Sequence, residues 1–77
     1  LPAFPIPPAF QIHADANLNQ WEYLKHITYD GAKARYGEIE STTQERIDFE
    51  LFTIKTMGFA GYFLIVSDFI KAGREMG

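Results

Sequence analysis

Five large apolar side chains follow one another without a break near the end of this 77-residue chain, from Tyr62 to Val66. Such a run is consistent with a short buried strand or with a helix that is enclosed on several sides. The positions that follow decide between the two, because apolar positions recur at intervals of three and four rather than two: Val66, Phe69, Ile70, Gly73 and Met76. We therefore predict a helix from Tyr62 to about Met76.

This helix is too apolar around its circumference to be covered by two neighbouring helices. The run from Tyr62 to Val66 exceeds one turn of ~3.6 residues, so it presents apolar side chains in nearly every direction. A chain this short buries only roughly 60% of the surface that its unfolded form exposes. The chain also begins without methionine. We therefore expect a segment of a longer protein, with the missing cover outside these 77 residues.

A first helix is predicted from about Gln20 to Tyr36, where residues recur at intervals of three and four: Trp21, Leu24, Ile27 or Thr28, and Gly31. Asn17 or Asn19 can cap its N-terminus by accepting from a free amide of the first turn. Gly37 ends it, because glycine adopts the left-handed conformation without steric cost. Glycine inside a helix costs up to ~1 kcal/mol relative to alanine. We therefore expect another backbone or an aromatic ring to pack close to Gly31.

A second helix is predicted from about Thr43 to Met57. Thr42 and Glu45 have the spacing of a capping box, in which the hydroxyl and the carboxylate each accept from a backbone amide. Gly58 ends this helix, Phe59 and Ala60 form a tight connection, and Gly61 opens the last helix. The apolar face of the second helix is predicted at four positions: Ile47, Leu51, Ile54 and, widening it, Phe52.

All four prolines lie near the N-terminus, at Pro2, Pro5, Pro7 and Pro8. Proline fixes φ and removes a backbone donor, so we predict an extended arm, partly polyproline II. Residues 5–8 fit the P-x-x-P pattern of a ligand for proline-recognising modules. We favour a stiff connector that lays three apolar side chains on a neighbouring surface: Phe4, Ile6 and Phe10. The predicted fold is all-α, a small bundle of about three helices, with residues 1–19 as proline-rich arm and loop and residues 20–77 as a three-helix segment.

We predict no catalytic, cofactor-binding or metal-binding residue in this chain. Asp48 and Glu50 resemble a carboxylate pair for magnesium, but on a helix they point about 200° apart. Glu50 with Lys55, or Glu45 with Arg46, can form only surface ion pairs. Cysteine is absent, which excludes thiolate metal sites and disulfides.

The remaining polar residues do not assemble a site either. Neither His13 with Asp15 nor His26 with Asp30 reaches the ligand number of a zinc site. Ser67-Asp68 has no histidine partner that could activate a nucleophile, and Gly58 and Gly61 lack the basic residue of a phosphate loop. Three charged residues share one side of the last helix, where we expect them to lie at the surface: Asp68, Lys71 and Arg74.

Ten acidic and seven basic residues give a net charge of −3, and the basic residues are scattered along the chain. Because neutralised phosphates supply most of the affinity of nucleic-acid binders, we expect no autonomous DNA or RNA binding. No apolar run approaches the ~20 residues that span a bilayer. The N-terminus also lacks the basic start of a signal peptide. We expect no membrane association and a cytoplasmic, reducing location.

The segment from Met57 to Ile70 reads MGFAGYFLIVSDFI and resembles bacterial DNA polymerase III alpha subunits, the C family of replicative DNA polymerases. That family carries MGFPGYFLIV-x-[DE]-[FY]-I after an R-x-x-x-E-L-x-x-I helix, here residues 46–54. This chain differs from the family at Ala60, where family members commonly carry proline. Upstream motifs of the family are matched at Tyr23-Leu24, Gly31 and Arg35-Tyr36-Gly37, and its LP-x-FP-x-P arm at residues 1–7.

The resemblance implies that the parent protein is a DNA-directed DNA polymerase that binds primer–template DNA and dNTPs and uses magnesium in two-metal chemistry. It places this chain between the PHP domain and the palm, with the rest of the polymerase chain (PHP, palm and thumb) as its partner. The family's phosphate loop and catalytic carboxylates follow the position of Gly77. The segment is therefore expected to be scaffold, inactive alone and without a cofactor, and Arg74 is assigned no substrate contact.

An independent helical interaction module, whose apolar groove takes a partner helix, is the alternative. The gene beyond Gly77 separates the two, because a G-x-G-R-G-S stretch supports the polymerase and a stop codon supports the module. In both cases we expect the isolated chain to expose the apolar flank from Tyr62 to Ile70, and to self-associate or bind hydrophobic dyes.

Overall fold

A computed structural model describes residues 4–76, except for the side chains at positions 72 and 74–76. A 3₁₀ turn, Pro8–Phe10, precedes three helices: α1 (Ala16–Tyr36), α2 (Ser41–Met57) and α3 (Ala60–Met76). The described part of the chain contains no strand, and the all-α prediction is confirmed. The Tyr62–Val66 run lies in a helix rather than a strand.

Helix α1 begins at Ala16, four residues before the predicted start. The Asp15 carboxylate caps it by accepting from the backbone amide of Asn17 at 2.9 Å, so the prediction of an asparagine cap is wrong. Asn19 instead exchanges two hydrogen bonds with the backbone of His13, each 2.9 Å long. This exchange holds the preceding loop against the first turn of α1.

Helix α2 begins at Ser41, and its N-cap Glu40 makes no side-chain capping bond. The Glu40 carbonyl accepts the first helical bond from Gln44 at 2.9 Å. Thr42 and Glu45 therefore lie inside the helix, where both are exposed, and the predicted capping box is wrong.

Glycine ends the first two helices as predicted, with φ values of 76° at Gly37 and 74° at Gly58. Gly58 is left-handed, whereas Gly37 has a ψ of −106° and leaves the predicted left-handed region. The connection from α2 to α3 is shorter than predicted. It consists of Gly58 and Phe59 alone, since Ala60 already belongs to α3. A two-residue connection fixes the direction in which α3 leaves α2.

The core lies where the three helices meet, and α1 packs against both α2 and α3. Its buried residues are Leu24, Leu51, Ala60 and Leu64. The partly buried side chains around it include the predicted stripes of α1 and α2: Trp21, Ile27, Ile47 and Ile54. Phe52 is 64% exposed, so the prediction that it widens the apolar face of α2 is wrong.

The proline-rich arm folds onto α1 of its own chain. Pro7 has polyproline-like angles (φ −56°, ψ 145°), but the 3₁₀ turn that follows replaces the predicted extended course. The rings of Phe4 and Phe10 lie 6.3 and 5.2 Å from the ring of Tyr23. Ile6 packs against the core. The neighbouring surface predicted for these side chains is thus α1, while positions 1–3 of the arm lie outside the described residues.

Replacing Leu64 by alanine should unfold the bundle, because Leu64 is 1% exposed in a core of few buried residues. Truncating a buried leucine typically costs about 2–5 kcal/mol. Ile70→Ala is the matched control on the same helix, where the side chain is 52% exposed. We expect thermal melts followed by circular dichroism to lose their cooperative transition only for Leu64→Ala. Equal midpoints for the two variants would contradict this core.

Candidate functional site

Helix α3 directs its apolar side away from the rest of the chain. Its buried residue Leu64 faces α1, and successive helical residues are rotated by ~100°. The side turned away from Leu64 carries four large apolar residues with exposed fractions of 50%, 40%, 80% and 52%: Tyr62, Phe63, Phe69 and Ile70. We call these four residues the outer face of α3. Exposed apolar surface of this kind marks an interaction site more often than it marks a free surface.

The side of α3 that continues from Leu64 towards its C-terminus is polar. Ser67, Asp68 and Lys71 are exposed and line a groove of about 390 Å³ between α1 and α3. Across the groove, α1 contributes Ile27, Thr28 and Gly31. The exposed residues on the side of α3 that faces α1 are thus polar, whereas those on the side that faces away from α1 are apolar. We call this cavity the α1–α3 groove.

Large apolar side chains are also exposed on α2 and on the connection after it. Phe49, Phe52, Met57 and Phe59 are 71%, 64%, 57% and 47% exposed. Together with the outer face of α3 they make eight large apolar side chains that are at least 40% exposed.

The dimensions of the chain agree with an incompletely covered bundle. Its accessible surface is 6011 Å², whereas a compact monomer of this length exposes about 4,800 Å². Its radius of gyration is 13.1 Å, against about 11.5 Å for a compact domain of this length. Both values exceed those of a compact domain of the same length.

Gly31 does not meet the neighbour that its position in a helix led us to expect. Apart from the backbone of its own helix, a Cβ atom at Gly31 would find no heavy atom of the described structure within 4 Å. Gly61 is different, because a Cβ atom there would approach the Gln20 side chain at 2.9 Å. The Gln20 amide is the end of a flexible side chain and can move aside, and Gly31 has no packing neighbour outside its own helix among the described residues.

Asp48 and Glu50 are exposed on α2 and engage different neighbours. The Tyr29 hydroxyl on α1 donates to Asp48, and Glu50 lies 3.8 Å from Arg46 one turn away. The pairs considered from the sequence, Glu50 with Lys55 and Glu45 with Arg46, are not among the ion pairs of the described residues. Burial of the hydroxyl, then its hydrogen bond to Asp48 and the carboxylate charge, raise the pKa of Tyr29 to about 12.

Trp21 joins α1 to α2, a role that sequence reasoning missed. Its indole nitrogen donates to the carbonyl oxygen of Leu51 at 2.8 Å. The ammonium groups of Lys55 and Lys25 lie 4.6 and 5.4 Å from the centre of its ring, within the range of cation–π attraction. Only the tryptophan's place on the apolar stripe of α1 hinted at this contact.

Each histidine has a described neighbour other than the acidic residue considered with it in the sequence. The His13 ring faces Glu22, with 4.0 Å between Nε2 and the carboxylate, and His26 packs against the ring of Phe10 at 5.1 Å. No three histidine or acidic side chains come together among residues with described positions. The absence of catalytic, cofactor and metal residues stays a prediction. The side chain of Arg74 lies outside the described residues.

None of the helices described here is both long enough and apolar enough to cross a membrane.

Comparison with known proteins identifies the family. The sequence model of the bacterial DNA polymerase III alpha NTPase domain matches residues 22–77. The chain belongs to this family. The resemblance that starts from the MGFAGYFLIVSDFI segment is thereby confirmed.

Relatives in the DNA polymerase III alpha family are similar along most of this chain. The DNA polymerase III subunit alpha of Borreliella burgdorferi is 49% identical over 71 residues, which are 92% of this chain and 6% of that protein. That of Aquifex aeolicus is 43% identical over 97% of this chain, again 6% of that protein. The error-prone DNA polymerase of Symbiobacterium thermophilum is 44% identical over 71% of this chain and 5% of its own length. No solved structure matches.

The outer face of α3 should make the isolated chain bind hydrophobic dyes such as ANS. Phe69→Gln removes its most exposed ring, 80% accessible, and should lower dye fluorescence without lowering helix content. Ile12→Gln is the matched control, because Ile12 is 71% exposed but lies in the loop before α1. Fluorescence and circular dichroism measured on the same samples check this. A chain that binds no dye, or equal losses in both variants, would contradict a localised surface.

The contact between Tyr29 and Asp48 should make the stability of the bundle fall at high pH. The folded-state pKa of about 12 lies above the ordinary tyrosine value of 10.0, so the folded chain holds this proton more tightly than the unfolded chain. The resulting stabilisation is complete below pH 10 and is lost as the pH rises through 12.

Urea titrations at pH 9 to 12 measure this contribution. We expect Tyr29→Phe to flatten the decline relative to wild type, whereas Tyr36→Phe, at an exposed tyrosine, should retain it. A decline that is identical in wild type and Tyr29→Phe would count against the contact.

Proposed function

We propose that this chain is a structural segment of the catalytic alpha subunit of a bacterial replicative DNA polymerase. The parent protein would synthesise DNA from dNTPs on a primer–template in the cytoplasm, where bacterial DNA lies. The names of the relatives support this, since they are DNA polymerase III alpha subunits and an error-prone DNA polymerase. The chain spans only 5–6% of the length of those relatives, so most of the polymerase would lie in other segments.

The observation that carries the scaffold role is the outer face of α3. An enzyme segment that supplies chemistry needs converging polar groups, whereas a scaffold segment needs apolar surface for the parts that it supports. Helix α3 buries Leu64 against α1 and leaves Phe69 80% exposed. Burial of such a ring against the rest of the polypeptide would supply the cover that α1 and α2 do not.

We assign the magnesium chemistry of the parent to residues outside this chain. Two-metal catalysis requires carboxylates that hold two ions about 3.5–4 Å apart. Asp48 and Glu50 are directed to different sides of α2, where one accepts from Tyr29 and the other faces Arg46. The segment would instead hold the PHP domain and the palm in their relative positions, as the resemblance implies.

An independent helical module that binds a partner protein is the second candidate. The same exposed outer face of α3 favours it, because an unpaired apolar helix face can receive a partner helix. The gene beyond Gly77 decides between the two candidates. A continuing glycine-rich reading frame supports the polymerase segment, and a stop codon supports the module.

Primer extension with the full-length parent protein tests the proposal. We expect magnesium-dependent incorporation of dNTPs by the parent and none by the isolated segment. Phe69→Asp in the parent should reduce both extension and the unfolding temperature, because it places a charge in a surface that the proposal expects to be buried. Phe69→Leu, which keeps the apolar character, should retain most of both. Full activity and stability of Phe69→Asp would contradict the scaffold role.

A further inference from the structure

We propose that the α1–α3 groove is the seat of a helix from the rest of the polymerase polypeptide, and that this helix approaches the backbone of α1 closely at Gly31. The inference rests on the proposed function and deepens it, because it names the second surface of the segment and its occupant. It concerns the side of α3 opposite to its outer face.

Gly31 is the first observation that carries the inference. It lies in the interior of α1, where glycine is a poorer helix former than alanine. The glycines that end α1 and α2 have a conformational reason to be glycine, because Gly37 and Gly58 adopt positive φ. Gly31 has no positive φ, and outside its own helix no described atom lies within 4 Å of the place of its missing Cβ. A glycine that destabilises its helix is explained if a part of the polypeptide outside this segment occupies the space where a side chain would lie.

The shape of the groove is the second observation. Gly31 opens directly onto it, and Tyr23, Ile27 and Leu64 give it an apolar floor. An additional helix that packs between α1 and α3 would use the ridge-and-groove contacts common in helical proteins, with axes 8–10 Å apart. A glycine on the supporting helix permits the short end of that range.

The rim of the groove defines the chemistry of the occupant. Thr28 on α1 and Ser67 on α3 offer hydroxyl groups, while Asp68 and Lys71 offer one charge of each sign. The matching helix is amphipathic, with an apolar stripe towards the floor and polar residues towards the rim, including a basic residue near Asp68 and an acidic residue near Lys71. A uniformly apolar helix would leave these charges buried and unpaired.

The source of the occupant follows from the lengths of the relatives. This chain covers only 6% of the alpha subunits of Borreliella burgdorferi and Aquifex aeolicus. A helix elsewhere in the same polypeptide is present at high effective concentration, whereas a separate protein must bind from solution. The occupant we commit to is therefore intramolecular.

Cysteine labelling in the full-length parent protein is the deciding experiment. Ser67→Cys is a conservative replacement at a position that is exposed in this segment. We expect its reaction with a maleimide reagent to be slower than in the urea-unfolded protein by roughly tenfold or more, because the seated helix covers it. Lys33→Cys is the control on the other side of α1, about 200° from Gly31, and should react rapidly. Mass spectrometry of the labelled peptides distinguishes these positions from native cysteines of the parent.

Substitutions at Gly31 in the same protein give an independent readout. At an open helix position Gly31→Ala would raise the unfolding temperature, because alanine is the better helix former. Under a closely packed helix it should lower that temperature, and Gly31→Leu should lower it further. Lys33→Leu should leave it unchanged. Because Gly31→Leu can prevent folding altogether, the alanine variant and the labelling rate decide.

Each outcome bears on the inference. Labelling of Ser67→Cys within about twofold of the unfolded rate, equivalent to under about 0.5 kcal/mol of protection, overturns it, as does a higher unfolding temperature for Gly31→Ala. Protection that disappears on dilution assigns the groove to a second copy of the protein and overturns the intramolecular occupant. If wild-type parent fails to extend a primer while Ser67→Cys remains protected, the proposed function fails and the seated helix stands.

Discussion

The contact of Leu64 and Ala60 with α1 determines how every other surface of this segment is directed. Leu64 and Ala60 are almost fully buried, and they share one side of α3 because they are one turn apart. Once that side is against Leu24 and Leu51, the opposite side of the helix must face outwards. The exposure of Tyr62 and Phe69 is thus a geometric consequence of the core that the described residues build, because α3 cannot turn both of its sides towards α1.

Helix α1 serves as the common support for the other elements. The arm contacts it through Phe10 and Tyr23, α2 through Trp21, and α3 through Leu64. The bond from the Trp21 indole to the Leu51 carbonyl adds direction to the apolar contact, because a hydrogen bond to a single backbone oxygen permits little sliding of α2 along α1. This arrangement explains how a small core can hold three helices while two broad surfaces of the bundle remain open.

Local chemistry made part of this architecture predictable from the sequence. Gly37 and Gly58 end helices because their positive φ is a property of glycine itself. The apolar stripes at Leu24 and Leu51 follow from the helical period. The N-termini were predicted less well, since several residues can cap a helix and Asp15 and Asn17 compete within one polar loop. Phe52 was misplaced because the sequence period alone does not show how wide a face the neighbouring helix can cover.

The outer face of α3 and the α1–α3 groove could not be predicted from the sequence, for a different reason. The sequence indicates that α3 is apolar on several sides, but the side that docks on α1 is decided by the two-residue connection after α2 and by the fit of Leu64. The same decision brings Ser67 and Asp68 opposite Gly31, three residues that no sequence motif connects. The family resemblance and the exposed surface are independent observations on the same residues. The first rests on residue identity along residues 22–77, and the second rests on where those residues are directed. Under the proposed function, the rest of the polypeptide would cover the two sides of α3 that this segment leaves open.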